Sequence, residues 1–235
     1  MLKNKEIIKE NEAKPEVIQL FSDSEIQRII ALYEKLPVTK NNKKQKVIKK
    51  RWLQNYNVEL DKLYTEKLKS VLGEFKMDNL KTDEGLDIFG LFQESYNPLK
   101  LHVDSGFYDG NIIYKQTLVP LSPFGETIIY KNRWYGTSTN FTIDKNELSL
   151  SSEKIIGKNS NSNLHNEIFG DKGFDIDDYN KYLKHEDIKN LKGLEIEKVY
   201  KWKIGEILIF DRTHLHSSSC NIQTKKLGLT TFTKK

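Results

Sequence analysis

The second half of the chain is a series of short segments rich in β-branched and aromatic residues, and this series most limits the possible folds. Eight such segments follow one another from about Leu86, each ended by Gly, Pro, Asn or Asp. Segments of this kind are typical of β-strands, and helical patterns of about 10–15 residues do not alternate with them. The order therefore predicts an antiparallel barrel or sandwich rather than a doubly wound parallel sheet.

The first half has the pattern of helices. A capping sequence at Ser22–Glu25 precedes apolar residues at helical spacing, and Pro37 ends this predicted helix. A second helix is predicted over residues 58–75. The chain is therefore expected to be mainly β with flanking helices. Residues 1–85 would form a helical arm that packs on a β core of residues 86–235.

Three further segments differ from these two patterns. Residues 16–21 predict a short strand, and the basic segment 39–51 predicts an exposed linker. Residues 145–190 are rich in Ser, Asn, Asp and Lys, with a short helix predicted near 176–190. A polar insertion of this length between strands is either a lid over a site or a mobile surface loop.

The composition excludes several classes of protein. The chain has 235 residues, with 38 Lys+Arg against 33 Asp+Glu and a net charge of +5. Four of the 38 are arginines, which leaves 34 lysines, and a surface poor in arginine argues against a nucleic-acid partner. No apolar run approaches the ~20 residues of a membrane span. The polar N-terminus and the single cysteine lead us to expect a cytoplasmic protein without a membrane partner or a multi-cysteine metal site.

Two separate segments carry residues suited to binding a metal. His102 and Asp104 lie two apart in a predicted strand, so their side chains point to the same side. The apolar strand Gly205–Phe210 is followed by a polar end that contains His214 and His216. Two histidines and one carboxylate from different strands form the facial triad of non-haem Fe(II) oxygenases, although zinc accepts the same ligands.

The phrases that contain these residues resemble the 2-oxoglutarate/Fe(II)-dependent dioxygenase superfamily. Tyr96–Asp104 is similar to the family's strand with Tyr-x-Pro and His-x-Asp, and Gly205–Asn221 to its Gly-Asp strand with a later His and Asn. The resemblance covers about Gly90–Phe232, and the branch stays open between prolyl-hydroxylase-like and phytanoyl-CoA-hydroxylase-like enzymes. It implies a double-stranded β-helix core, which is a jelly-roll, cupin-like fold.

The resemblance also ranks the two candidates for the distal histidine ligand. In the family, the ligand usually follows the Phe that closes the preceding strand by six residues, and an Asn follows the ligand by five. Phe210 and Asn221 have this spacing to His216. We therefore favour His102, Asp104 and His216 as metal ligands and catalytic residues. His214 stays an alternative ligand and is otherwise a candidate for substrate contact.

The resemblance implies a cation for the distal carboxylate of 2-oxoglutarate, because an unpaired buried charge is costly. The family places it ten residues after the distal histidine, where this chain has Lys226. Lys225 is the alternative in register, and Lys115, Lys131 or Arg133 could reach inward from a middle strand. In the family this cation is commonly an arginine, and a Ser often follows it two residues later. This chain lacks that Ser, so a hydroxyl contact is expected from Tyr96, Tyr114 or Thr230.

The implied activity is the oxidation of a C–H bond. Fe(II), 2-oxoglutarate and O2 are the implied cofactors, with ascorbate as a candidate reductant, and succinate and CO2 are the released products. A carboxylate at position 104 argues against a halogenase. We expect hydroxylation of a polar small molecule, with a peptide as the alternative substrate. The candidate substrate contacts are Arg133, Trp134, Arg212 and His214.

Two functions of other classes stay open. A cupin-like metalloenzyme would use the same triad without 2-oxoglutarate. A non-catalytic binding module would need no metal and would bind polyanions through residues 39–51.

Overall fold

The structure, a computed structural model, describes residues 2–43, 46–106, 108, 110–142, 160–161 and 169–235. These residues form two sheets with helices packed on their outer faces. The helices of the N-terminal part are α1 (Lys5–Glu10), α2 (Asp23–Lys35) and α3 (Val58–Leu72). No helix among the described residues is both long and apolar enough to span a bilayer.

The larger sheet has nine strands, all in antiparallel pairs. They are β1 (Glu16–Gln19), β2 (Val38–Asn42), β3 (Val47–Leu53), β4 (Lys76–Met77), β5 (Leu80–Lys81), β6 (Asp87–Ser95), β8 (Ile113–Pro120), β13 (Glu206–Asp211) and β15 (Lys226–Lys234). Their order is β1-β13-β8-β15-β6-β3-β2, with β4 paired to β15 and β5 paired to β6. The three central strands are therefore far apart in sequence, as a jelly-roll requires.

The smaller sheet has six strands and faces the larger one. They are β7 (His102–Val103), β9 (Glu126–Arg133), β10 (Thr139–Thr142), β11 (Ser160–Asn161), β12 (Ile196–Lys201) and β14 (His214–Ser218). Their order is β11-β10-β7-β14-β9-β12. Ile129 and Tyr200 of this sheet pack against Leu208 and Phe210 of β13. This contact joins the two inner faces, and the predicted mainly β jelly-roll core is confirmed.

Helices α2 and α3 cover the outer face of the larger sheet. Ser22 and Glu25 form the predicted capping box of α2, and Asn57 caps α3. The apolar faces of both helices pack against alternate residues of the sheet strands, among them Ile207, Leu227 and Leu229. This packing leaves the residues between them, such as Lys226, on the inner face.

The prediction of an exposed linker over 39–51 is wrong. Strands β2 and β3 form a hairpin there, and β3 pairs with β6 in the larger sheet. Val47 and Trp52 are buried. The lysines of this segment suggested a solvated loop. In a strand, however, their long aliphatic parts can cover the sheet while the charges reach solvent. The N-terminal part is consequently less helical than predicted, and β1 and β3 join it directly to the larger sheet.

The polar insertion is described only in part, since residues 143–159 and 162–168 lie outside the described residues. Whether it forms a lid therefore stays a prediction. Its last part forms a helical segment, Ile176–Leu183, and a 3₁₀ turn, Ile188–Leu191. Both pack on the outer face of the smaller sheet through Phe174, Tyr182, Leu183 and Leu191.

Candidate metal and cosubstrate site

The structure brings His102, Asp104 and His216 together on the inner face of the smaller sheet. His102 on β7 lies directly opposite His216 on β14. The Oδ2 atom of Asp104 lies 3.4 Å from Nε2 of His216 and 3.8 Å from Nε2 of His102. One ligand atom from each residue lies within 4.8 Å of the others. Among the described residues this is the one such cluster of His, Cys, Asp or Glu.

Backbone carbonyls fix the orientation of both imidazoles. Nδ1 of His102 lies 2.7 Å from the carbonyl of Lys100, and Nδ1 of His216 lies 3.1 Å from the carbonyl of His214. Because a carbonyl only accepts, each Nδ1 carries the hydrogen and each Nε2 keeps a free electron pair. Burial lowers the pKa of His102 to about 4, and the neighbouring His216 adds to this effect.

These residues fit a divalent cation. Burial raises the pKa of Asp104, but the close contact with His216 and the nearby imidazoles outweigh it and hold that pKa well below its usual range. Two Nε2 electron pairs and an ionised carboxylate then converge on one point, where they repel one another unless a cation lies between them. Two imidazoles and one carboxylate with further positions open is the donor set of non-haem Fe(II) sites.

The two candidate distal histidines have different surroundings. His214 is fully buried, with Nε2 at 3.1 Å from Oε2 of Glu197 and Nδ1 at 3.2 Å from the carbonyl of Asp211. Burial, with help from the charge of Arg133, lowers its pKa to about 2. A neutral imidazole carries one hydrogen, so His214 donates to one of these two oxygens, and both of its nitrogens lie against groups other than Asp104. The structure places His216 beside Asp104 instead. A register shift on β14 lies between His214 and His216.

Lys226 lies buried on the inner face of the larger sheet. Its Nζ donates to the carbonyl of Glu126 at 2.9 Å and to Oγ of Ser218 at 3.0 Å, and lies 4.4 Å from the centre of the Trp202 ring. No described carboxylate forms an ion pair with it: the side chain of Glu126 accepts from Asn221, and its charge acts on Lys226 only from a distance. Burial lowers the pKa of Lys226 to about 7.

The other candidate anchors point elsewhere. Lys225 lies on the opposite face and approaches Glu94 at 3.6 Å. Lys131 is exposed and pairs with Glu195, while Lys115 forms a buried ion pair with Asp211. Lys226 differs from the other three lysines, because it is buried and forms no ion pair with any described residue.

Two of the three candidate hydroxyls lie outside this inner face. The hydroxyl of Tyr96 donates to Glu94, whose other oxygen accepts from Tyr33 of α2. The hydroxyl of Tyr114 lies 3.4 Å from the carbonyl of Leu72 at the end of α3. Thr230 differs from both, because it shares the inner face of β15 with Lys226.

All four predicted substrate contacts, Arg133, Trp134, Arg212 and His214, have partners within the fold. Arg133 forms ion pairs with Glu12, Glu197 and Asp211, at 3.8, 3.6 and 3.3 Å. The indole nitrogen of Trp134 donates to the carbonyl of Thr137. We call the group of Glu12, Lys115, Arg133, Glu197, Asp211 and His214 the paired-charge cluster.

Arg212 contacts the backbone of Asp104 and not its carboxylate. It is 1% exposed, and its Nη1 donates to Oδ2 of Asp78 at 2.5 Å. Its Nε donates to the backbone carbonyl of Asp104 at 3.2 Å. A Cβ atom at Gly106, whose φ is +98°, would lie 2.8 Å from the guanidinium. Arg212 therefore holds the turn after Asp104 and does not extend into the space between the sheets.

Sequence reasoning missed two residues of this site. Ser218 follows His216 by two residues on β14, so strand alternation could have indicated it. Gln116 of β8 donates through Nε2 to Oδ2 of Asp104 at 3.0 Å. No local signal pointed to Gln116, because the contact joins β8 of the larger sheet to the residue that follows β7 of the smaller sheet.

The fold is similar to that of solved 2-oxoglutarate/Fe(II) oxygenases. An oxidoreductase of the 2OG-Fe(II) oxygenase family from Burkholderia pseudomallei matches 98% of this chain and 90% of its own, with a TM-score of 0.52 and 11% identity. HygX from Streptomyces hygroscopicus, with nickel and 2-oxoglutarate bound, matches 100% of this chain and 87% of its own, with a TM-score of 0.50 and 11% identity.

A third solved structure extends the range of chemistry found on this fold. SnoN, a non-heme α-ketoglutarate-dependent epimerase from nogalamycin biosynthesis, matches 97% of this chain and 81% of its own, with a TM-score of 0.51 and 8% identity. No protein-family model and no curated protein matches the sequence. Structural matches at identities this low establish a shared fold only. The activity therefore has to be argued from the site.

Proposed function

We propose that the chain is an Fe(II)- and 2-oxoglutarate-dependent oxygenase that hydroxylates a polar small molecule and releases succinate and CO2. One observation supports this function above the others. The inner faces of the two sheets hold a triad that needs a cation and a buried ammonium that forms no ion pair with any described residue. A metal with a dicarboxylic cosubstrate satisfies both requirements.

The triad would hold the metal through Nε2 of His102, Nε2 of His216 and Oδ2 of Asp104. Three protein ligands leave room for a chelating cosubstrate and for O2. When bound, Fe(II) with 2-oxoglutarate and O2 supplies the oxidising power, and the protein supplies ligand geometry and exclusion of water. HygX, a protein of the same fold, carries nickel and 2-oxoglutarate in its solved structure, which supports this choice of cofactors.

Lys226 would neutralise the distal carboxylate of the cosubstrate. Its ammonium is already desolvated and is held by two neutral acceptors, so an arriving carboxylate gains a charge-assisted hydrogen bond without moving the side chain. Ser218 accepts from Lys226, and its own hydroxyl hydrogen is then free to donate to the same carboxylate. The ring of Trp202 covers the ammonium on one side and excludes water there.

A polar substrate is favoured by the side chains around the triad. Lys50 and Trp52 of β3 point to the outer face of the larger sheet, where the helices pack. Because side chains alternate along a strand, Lys49 points to the inner face. The charge of Lys49 contributes to the lowered pKa of His102. Gln93 lies opposite Lys49 in the register. Polar groups in this position would suit an oxygen-rich or anionic molecule.

The test is the anaerobic addition of Fe(II) and 2-oxoglutarate to the metal-free protein. We expect a weak visible charge-transfer band, followed by succinate release when O2 is admitted. Asp104→Ala is the control, since it removes the carboxylate ligand and should abolish the band. A folded, metal-loaded protein without the band would contradict the proposal.

The same experiment separates the alternatives. A protein that binds Fe(II) tightly but gives no 2-oxoglutarate band would be a metalloenzyme of another kind. A protein that binds no metal but retains polyanions through the β2–β3 hairpin would be a binding module. A peptide substrate would appear as succinate release that depends on added peptide.

A further inference from the structure

We propose that Gln116 is a positioning residue that holds the carboxylate of Asp104 so that only one of its oxygens faces the metal. This inference rests on the proposed function. It concerns how many coordination positions the triad leaves open for the cosubstrate and O2.

The position of Gln116 in the sheet supports this role. It lies on β8, opposite Phe210 of β13 and Phe232 of β15, and is 4% exposed. Its Nε2 donates to Oδ2 of Asp104 at 3.0 Å. Oδ2 is also the oxygen that faces Nε2 of both ligand histidines. One hydrogen bond from the larger sheet therefore reaches the ligand oxygen of the smaller sheet.

The chemistry of the two groups fixes the orientation of the amide. An ionised carboxylate only accepts hydrogen bonds, so the NH₂ group of Gln116 must face Asp104 and the amide oxygen must turn away. That oxygen is buried and has no hydrogen-bond partner among the described residues. Buried amides that serve the fold are normally paired at both ends. The side chain of Gln116 is thus committed to Asp104 alone.

The hydrogen bond limits how the carboxylate can turn. Asp104 has 33% of its side chain exposed, so packing by itself does not fix the carboxylate. A carboxylate can bind a metal through one oxygen or through two. Binding through two would occupy a position that the chelating cosubstrate or O2 needs. By holding Oδ2 toward the imidazoles, Gln116 keeps the other oxygen turned away.

The experiment compares Gln116→Met with Gln19→Met. Methionine keeps the length of the side chain but removes the donor. Gln19 is the matched control because it also lies on the larger sheet, in β1, and donates to the backbone carbonyl of Phe21. Fe(II) affinity of the metal-free protein is measured anaerobically, and the 2-oxoglutarate band is recorded at saturating Fe(II).

We expect Gln116→Met to lower the metal affinity by roughly 10–100-fold, as loss of an outer partner does at other metal sites. Its 2-oxoglutarate band should be shifted or lost even at saturating metal, which a purely structural role would not cause. Gln19→Met should match the wild type in both measurements. If Gln116→Met does not fold, Gln116→Ala is expected to give the same two changes.

The outcomes distinguish the two proposals. A wild-type protein without metal binding or without the band would overturn the proposed function. A wild-type protein with the band, together with a folded Gln116 variant of unchanged affinity and unchanged band, would overturn the role of Gln116 alone.

Discussion

Two regions of the molecule bury cations in opposite ways. In the paired-charge cluster, Lys115 pairs with Asp211, and Arg133 lies within ion-pair distance of three carboxylates. On the inner face, Lys226 is equally buried but contacts a carbonyl, a hydroxyl and an aromatic ring. Every charge of the cluster therefore has an ion-pair partner within it, whereas Lys226 forms no ion pair with any described residue.

The two histidines of β14 show the same contrast. Both nitrogens of His214 face partners within the protein, while His216 keeps Nε2 free beside Asp104. Desolvating a charge costs several kcal/mol unless a partner compensates it. A closed set of partners therefore indicates a role in stability, and an open set indicates a ligand that arrives from outside. Substitutions in both regions test this distinction.

The largest effect is expected from removing the open histidine. His216→Ala should reduce Fe(II) affinity by far more than the roughly 10–100-fold that loss of an outer partner costs. Isothermal titration of the metal-free protein measures it. His214→Gln is the comparison, and it should weaken the fold while the triad still binds metal. Normal metal affinity in His216→Ala would exclude it as a ligand.

The second effect concerns the stability of the paired-charge cluster. Asp211→Ala leaves Lys115 and Arg133 undercompensated and should lower the free energy of unfolding by about 3–5 kcal/mol. Glu195→Ala is the control, because its pair with Lys131 is half exposed and is worth less than about 1 kcal/mol. Urea unfolding of both variants checks the difference. Equal losses would mean that burial does not distinguish the two pairs.

The third effect should have the opposite sign for stability. Lys226→Met removes a buried ammonium without a carboxylate, so the ligand-free protein should be no less stable than the wild type. Its affinity for 2-oxoglutarate should fall by roughly 30-fold or more, because truncating one partner of a buried charge pair costs about 2–5 kcal/mol. Lys225→Met, on the opposite face, should leave this affinity unchanged. Destabilisation comparable to that of Asp211→Ala would show that Lys226 is paired after all.

The smallest effect near neutral pH is a pH dependence of cosubstrate binding. Burial lowers the pKa of Lys226 to about 7, and a bound carboxylate favours the protonated form. Below pH 7 the lysine is already protonated and the affinity is level. Above pH 7 binding requires uptake of a proton, so the affinity should fall by up to about tenfold per pH unit. Titrations from pH 6 to 9 measure this decline.

Lys226→Arg provides the control for that profile. Arginine stays protonated throughout this range, so its affinity should not decline above pH 7. A wild-type profile that stays level up to pH 9 would contradict the assignment of the lysine.

Much of the fold could be predicted from local patterns. The series of strands after Leu86 and the capping box at Ser22 both depend on residues close in sequence, and both were found. The hairpin over residues 38–53 was missed because its lysines matched the composition of a solvated loop. Whether a lysine-rich segment pairs depends on an available neighbour, in this case β6, and composition does not contain that information.

The candidate site divides in the same way. Strand alternation places His102 beside Asp104, and the spacing from Phe210 to His216 and Lys226 follows from the resemblance to known oxygenases. The roles of these residues stay predictions until the metal and the cosubstrate are measured. The local pattern also favoured Arg133 and Trp134, which the structure engages elsewhere.

The sequence by itself determined the mainly β architecture and the residue types that converge on the triad, because alternation along a strand is a local property. Only the tertiary structure decided which polar groups are satisfied. Arg212 is matched by Asp78, His214 by Glu197 and Tyr96 by Glu94, whereas Lys226 has no described anion. Gln116 reaches Asp104 only because two sheets face each other. Whether a buried polar group has a hydrogen-bond or ion-pair partner depends on residues far apart in the chain, and only folding brings these residues together.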